Sequence, residues 1–140
     1  MSTLDWGVSF RAAGPDDRSL ALLLALGALS AVAIAPFLPW LAPLAPPCPF
    51  HAITGVPCPG CGSTRAALAL ARGDVFAAFG WNPLAAFAMV AGGAACLLAP
   101  LWVHSGRPLP MLAPVLPARA RTALVAVLAS NWAWLVMRGV

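Results

Sequence analysis

At 140 residues the chain is long enough for one domain. Hydrophobic residues make up 61% and charged residues 9%, against roughly 25% charged in a water-soluble domain, so water is not its main solvent. The net charge of +4 comes from arginines scattered at the ends of apolar runs rather than gathered into a basic patch, which argues against nucleic acid as a partner.

Residues 1–18 read as a polar tail carrying Asp5, Arg11, Asp16, Asp17 and Arg18, and residues 19–140 as a single membrane domain. Pro15-Asp16-Asp17 is a helix start, with an aspartate as N-cap and acidic charge at the positive end of the dipole. Leu20 to Pro47 holds no charge and exceeds the ~20 residues that span a bilayer core, so a first span is expected over about 19–41. Pro36 and Pro39 should end or kink it, because proline lacks the amide donor and clashes with the preceding turn. Trp40 sits where an interfacial anchor would. A cleavable signal peptide, cut after Ala31-Val32-Ala33 or Ala33-Ile34-Ala35, is the competing reading. The aspartates of a tail that is not net positive favour a retained helix.

Residues 42–62 are rich in proline and glycine and are expected to be a stiffened loop. Ser63 or Thr64 can then cap a short helix that Gly73 ends, and Asp74 can cap a further turn or two to Gly80. Arg65 and Arg72, seven apart, share a face of this helical segment, 63–80, which fits the plane of the membrane interface. Trp81-Asn82-Pro83 is a strong helix start: Asn as N-cap, Pro at the first helical position, Trp at headgroup level. The second span covers about 83–103. A Pro-rich connection over 104–121 leads to the last span, about 118–138, in which Asn131 needs a partner on another helix. The expected fold is an all-α membrane protein with about three transmembrane helices and a short interfacial helix after the cysteine loop.

With three spans, Arg11, Arg18, Arg107, Arg119 and Arg121 share one side, and Arg65, Arg72 and Arg138 the other. The positive-inside rule then places the N-terminus in the cytoplasm and the cysteine loop outside. The absence of lysine beside abundant Ala, Arg and Pro points to a bacterial source, and hence to a multi-pass protein of the inner (plasma) membrane.

The sequence is organised around Cys48-Pro49-Phe50-His51 and Cys58-Pro59-Gly60-Cys61-Gly62. Cys-Pro-x-Cys-Gly permits a tight turn whose backbone N–H groups point at the sulfurs, the geometry of a metal knuckle. With Cys48 and His51 it gives C-x2-H-x6-C-x2-C, four ligands of the kind zinc prefers. Arg65 follows in the first helical turn, where a cation opposes the dipole and calls for an anionic partner: the thiolates, Asp74 or a lipid phosphate. Two other readings stand beside zinc. Cys58 and Cys61 could be a redox pair of a membrane thiol-disulfide oxidoreductase, their thiolate favoured by the helix dipole and Arg65. A disulfide from Cys48 to Cys58 or Cys61 could instead simply pin the loop, as an oxidising compartment would favour.

Cys96 reads as a small buried hydrophobe. His104 reads as a solvated interface residue, Asn82 as a plain N-cap and Arg138 as a snorkelling end charge. No complete catalytic constellation is visible, and the sequence leans away from an enzyme. The favoured reading is a membrane protein whose cysteine knuckle organises a surface for a protein partner or lipid.

Cys48-Pro49-Phe50, Thr54-Gly55, Cys58-Pro59-Gly60-Cys61-Gly62, Thr64-Arg65, Gly73-Asp74 and Asn82-Pro83, followed by Asn131-Trp132 and Arg138, closely resemble the domain of unknown function 2752 family. The similarity covers roughly residues 44–138. It implies a small bacterial integral membrane protein whose signature residues fall on Cys48, Cys58, Cys61, Thr64, Arg65, Gly73, Asp74, Asn82 and Pro83. His51 lies outside that set. The resemblance supplies no activity.

Overall fold

The computed structural model describes residues 8–12, 14–41, 44, 48–106, 109–112 and 116–139. Asp5, Arg107 and the loop prolines Pro43, Pro46 and Pro47 lie outside the described residues. In order, the elements are β1 (Val8–Arg11), α1 (Pro15–Ile34), a 3-10 turn (Ala35–Phe37), α2 (Leu38–Leu41), α3 (Pro49–Thr54), α4 (Ser63–Ala71), α5 (Val75–Trp81), α6 (Pro83–His104), β2 (Leu109–Leu112) and α7 (Ala118–Arg138). The all-α expectation holds, with a two-stranded antiparallel ribbon added to it.

Three helical stretches are long and apolar enough to cross a membrane: Pro15–Trp40, Pro83–His104 and Ala118–Arg138. Most of their leucines and valines stand exposed, Leu23, Leu101 and Val125 among them, while Val103 and Leu135 are buried. So much exposed apolar surface suits contact with membrane lipid rather than water.

The chain divides into two compact units, Met1–Leu29 with Ala94–Val127, and Ser30–Gly93 with Leu128–Val140. The first contains the ribbon, in which Val8 pairs with Leu112 and Arg11 with Leu109. Val8-Ser9-Phe10-Arg11 alternates apolar and polar for only four residues, and Leu109–Leu112 carries Pro110 and does not alternate, so the ribbon is absent from the sequence reading. Asp16 and Asp17 prove to lie inside the first turn of α1 rather than at its cap. Asp17 Oδ2 accepts from the Gly14 N–H at 2.7 Å, as a carboxylate at the third helical position does in a capping box. The same side chain pairs with Arg11, whose Nη2 lies 2.6 Å from Asp17 Oδ1.

In the second unit, Pro36 converts α1 into the 3-10 turn, as the missing donor and ring clash require. The expected loop 42–62 contains a helix: Pro49 opens α3 and Gly55, with φ of 70°, closes it. Pro at the first helical position and Gly just past the last are the ordinary punctuation of a helix, although six residues are too few for apolar periodicity to show. The segment 63–80 forms two helices. Gly73 reverses the chain at φ of 78°, and Asp74 Oδ1 accepts from the Ala77 N–H at 2.9 Å as the N-cap of α5. The core beneath them is built from alanine: Ala66 and Ala69 of α4, Ala78 of α5 and Ala86 of α6, with Leu70, Ala77 and Met89 packed around. Small side chains let the three backbones approach closely, which fixes α4 and α5 against the start of α6.

Candidate functional site

Cys48, Cys58 and Cys61 converge in the second unit, their sulfurs all within 4.8 Å of one another. Cys58 Sγ is central, 3.4 Å from Cys48 Sγ and 3.3 Å from Cys61 Sγ. All are free thiols. Three sulfurs so placed are close enough to hold a metal ion. Tetrahedral zinc, with Zn–S of about 2.3 Å, separates its sulfurs by roughly 3.8 Å.

Local chemistry builds the cluster. Cys48 has extended backbone angles at the cap of α3, and the first turn closes through Ala52 N–H to the Cys48 carbonyl at 3.0 Å. In the knuckle, the Cys61 N–H donates to the Cys58 carbonyl at 2.9 Å, and the Cys58 N–H donates to Cys61 Sγ at 3.1 Å. The expected backbone-to-sulfur bond is therefore present on Cys61. Gly62 then takes φ of 80° and serves as N-cap of α4. Ser63 is not the cap: its hydroxyl turns back to the Gly60 carbonyl at 2.7 Å.

The sulfurs differ in environment. The backbone N–H of His51, then the neighbouring Cys58 thiol, lowers the pKa of Cys48 below that of an ordinary thiol. Burial, reinforced by Cys58, pushes Cys61 up to about 11. His51 is not part of the three-sulfur group; its carbonyl accepts from the Gly55 N–H at 2.9 Å, closing α3.

Two asparagines fasten the knuckle to the long helices. Asn82, 1% exposed, caps α6 by accepting from the Ala85 N–H at 3.0 Å. Its amide donates to the Cys61 carbonyl at 2.9 Å, and more distantly to Pro59 O and Ser63 Oγ at 3.3 and 3.5 Å. Asn131, buried on α7, accepts from the Leu84 N–H at 3.0 Å and donates to the Pro59 carbonyl at 3.4 Å. Pro83 has no N–H and the Asn82 N–H bonds the Ala78 carbonyl, so the two N–H groups left over in the first turn of α6, those of Leu84 and Ala85, are both met by amides whose other ends reach the cysteine turn. Trp132 adds a third tie, its indole N–H donating to the Pro57 carbonyl at 2.7 Å. Asn82 is consequently more than the plain cap its sequence position suggests. Asn131 finds the partner a mid-span amide demands.

Residues 48–97 match the family model described as "Protein of unknown function (DUF2752)". The resemblance read from the motifs is borne out over that segment. No curated protein and no solved structure matches the chain. The DUF2752 match takes in all three clustered cysteines, Thr64, Arg65, Asp74 and Asn82, and stops short of Asn131, Trp132 and Arg138.

Arg65 and Arg138, both singled out in the sequence, lie against tryptophans. Arg65 stacks over the Trp81 ring, its guanidinium carbon 4.8 Å from the centroid. Arg65 and Arg72 line one groove of about 220 Å³ with Leu68, Ala69, Asp74, Ala77 and Trp81, so the shared face expected from their spacing exists. Arg138 lies over Trp134 at 5.2 Å and lines a second groove of about 400 Å³ with Phe76, Ala77, Gly80 and Trp81. Thr64 is exposed on the first turn of α4. Cys96 belongs to the other compact unit. In the sequence Trp81 reads only as a headgroup-level anchor and not as the partner of Arg65, and the two proline carbonyls carry no chemical signal. Trp132 stands out only as part of the family resemblance, whereas Asn131 is also marked by its place within a span.

Proposed function

We propose that Cys48, Cys58 and Cys61 form a zinc site in a non-enzymatic membrane protein, and that the metal holds the knuckle as a rigid platform for a lipid or protein partner. The reading rests on one observation: three soft sulfur donors, from two separate chain segments, gathered around a common centre. Backbone bonding supports it, because an N–H directed at a cysteine sulfur stabilises the thiolate that a metal requires. His51, an exogenous ligand or water would supply a fourth position. The platform would lie at the outer face of a bacterial inner membrane, with the N-terminus in the cytoplasm and α4–α5 along the interface.

Purified full-length protein should then carry about one metal ion per chain, with Cys58 and Cys61 resisting alkylation until a chelator is added. Cys48→Ser should lower occupancy sharply. His51→Ala should do so only if histidine completes the site. Metal-free protein with two of these cysteines disulfide-bonded as isolated would overturn the zinc reading.

The position of Cys58 between two other thiols favours one second reading, thiol-disulfide exchange. Cys58 as thiolate would attack a substrate disulfide and release one substrate thiol. Cys61 would then displace the second, leaving a Cys58–Cys61 disulfide and a fully reduced substrate. A reduction potential near those of exchange catalysts, with exchange lost in Cys61→Ser, would select this reading over zinc.

A further inference from the structure

We infer that the groove between α4 and α5 is a binding site for the phosphodiester of an anionic phospholipid headgroup, held by Arg65 and Arg72 over Trp81. Both arginines line this groove of about 220 Å³. Among the described residues the ion pair is Arg11 with Asp17, and no carboxylate pairs with Arg65 or Arg72. Their N–H donors make none of the side-chain hydrogen bonds described above.

Arg65 is nevertheless held in place. Its guanidinium carbon lies over the Trp81 ring, 4.8 Å from the centroid, a cation–π contact that holds the group while leaving its N–H donors for phosphate oxygens. It is also the third residue of α4, where a cation opposes the helix dipole and a bound anion would offset that cost. Asp74 lines the same groove, with Oδ1 committed to capping α5. Two arginines and one aspartate leave a formal charge of +1, which matches a phosphodiester monoanion better than a phosphate dianion.

The rest of the lining is apolar, from Leu68, Ala69, Ala77 and Trp81, and Phe76 stands 93% exposed on the neighbouring turn. A soluble anion makes no use of such a surround. A lipid does, since its glycerol backbone and upper acyl chain can lie against these side chains while the phosphate meets the arginines. The inference deepens the reading of the knuckle as the organiser of a surface, and rests on it only in that the cysteine turn sets where α4 begins.

Native mass spectrometry of the full chain from detergent tests the inference, with phosphatidylglycerol and phosphatidylcholine titrated in competition and metal content read on the same samples. Phosphatidylglycerol should be retained in clear preference. Arg72→Gln, at an exposed position, should reduce that preference by about tenfold, the scale of one charge-assisted hydrogen bond, and Arg65→Gln should act likewise. Neither should alter metal content, whereas Cys48→Ser should change metal content whether or not lipid binding survives. Equal retention of both lipids would overturn the inference, as would a preference persisting in both arginine variants. Displacement of phosphatidylglycerol by inorganic phosphate or glycerophosphate at similar concentration would assign the groove to a free phosphate and likewise reject the lipid.

Discussion

The side-chain amide of Asn82 donates to the carbonyl of Cys61 at 2.9 Å, across 21 residues of sequence. The same side chain caps α6 through Ala85, so one buried amide couples the start of a membrane-length helix to the cysteine turn. Removing it strands groups at both ends. Asn82→Ala should destabilise the protein by about 2–4 kcal/mol, combining a lost cap with a buried carbonyl left unpaired. Asn82→Asp separates the two roles: it can still cap α6 but sets a carboxylate against the carbonyls of Pro59 and Cys61. Thermal unfolding in detergent, with thiol labelling as readout of the turn, should show a loosened turn in both variants; a turn as protected in Asn82→Asp as in the natural protein would disprove the coupling.

Asn131 shares the Pro59 carbonyl with Asn82. Their effects should therefore not add. A double-mutant cycle on Asn82→Ala and Asn131→Ala should give an interaction energy of about 0.5 kcal/mol or more, the range for residues in one hydrogen-bond network. Strict additivity would mean that each amide acts on α6 alone.

The two glycines of the knuckle are not equivalent. Gly62 holds φ of 80°, a conformation that costs an L-residue roughly 1–2 kcal/mol. A Cβ on Gly60 would meet only Cys58 Sγ, at an ordinary 3.9 Å. Gly62→Ala should therefore lower the unfolding midpoint and the metal content, while Gly60→Ala should be nearly neutral. The reverse ranking would contradict this description of the turn.

Alkylation of metal-free, reduced protein should follow the order of the thiol environments. The His51 N–H and the Cys58 thiol hold the pKa of Cys48 below its reference value of 9.0, and burial raises that of Cys61 to about 11. As pH rises, Cys48 should be the first of the two to become thiolate and react with iodoacetamide. Cys61 should stay unreactive until well above pH 9.0. Peptide mapping at stepped pH measures both; simultaneous labelling would contradict the assigned environments.

Trp132 offers a test of the third tie. Trp132→Phe keeps the aromatic bulk and removes the donor to the buried Pro57 carbonyl, at an expected cost of about 1 kcal/mol. A change in midpoint with metal content retained would identify it as a stabilising rather than ligand-positioning contact.

Much of this architecture follows from short-range chemistry, and so could be read along the chain. Asn82-Pro83 starts α6, Gly73 ends the α4 turn, Asp74 caps α5 and Pro36 breaks α1, because each effect acts within one helical turn of its residue. The Cys58–Cys61 pairing is equally local, a three-residue separation closed by its own turn. What the tertiary structure decided are the partners chosen across long separations. Helix α3 carries Cys48 to the knuckle while His51 stays out of the sulfur group, Asn131 reaches Pro59 over 72 residues, and Arg65 stacks on Trp81 rather than revealing its partner through spacing. The ribbon of β1 and β2 belongs with these, since its pairing joins segments about a hundred residues apart. Amides, indoles and guanidinium groups carry donors in any context. Their acceptors are fixed only when the packing of α4, α5, α6 and α7 buries particular carbonyls and rings beside them.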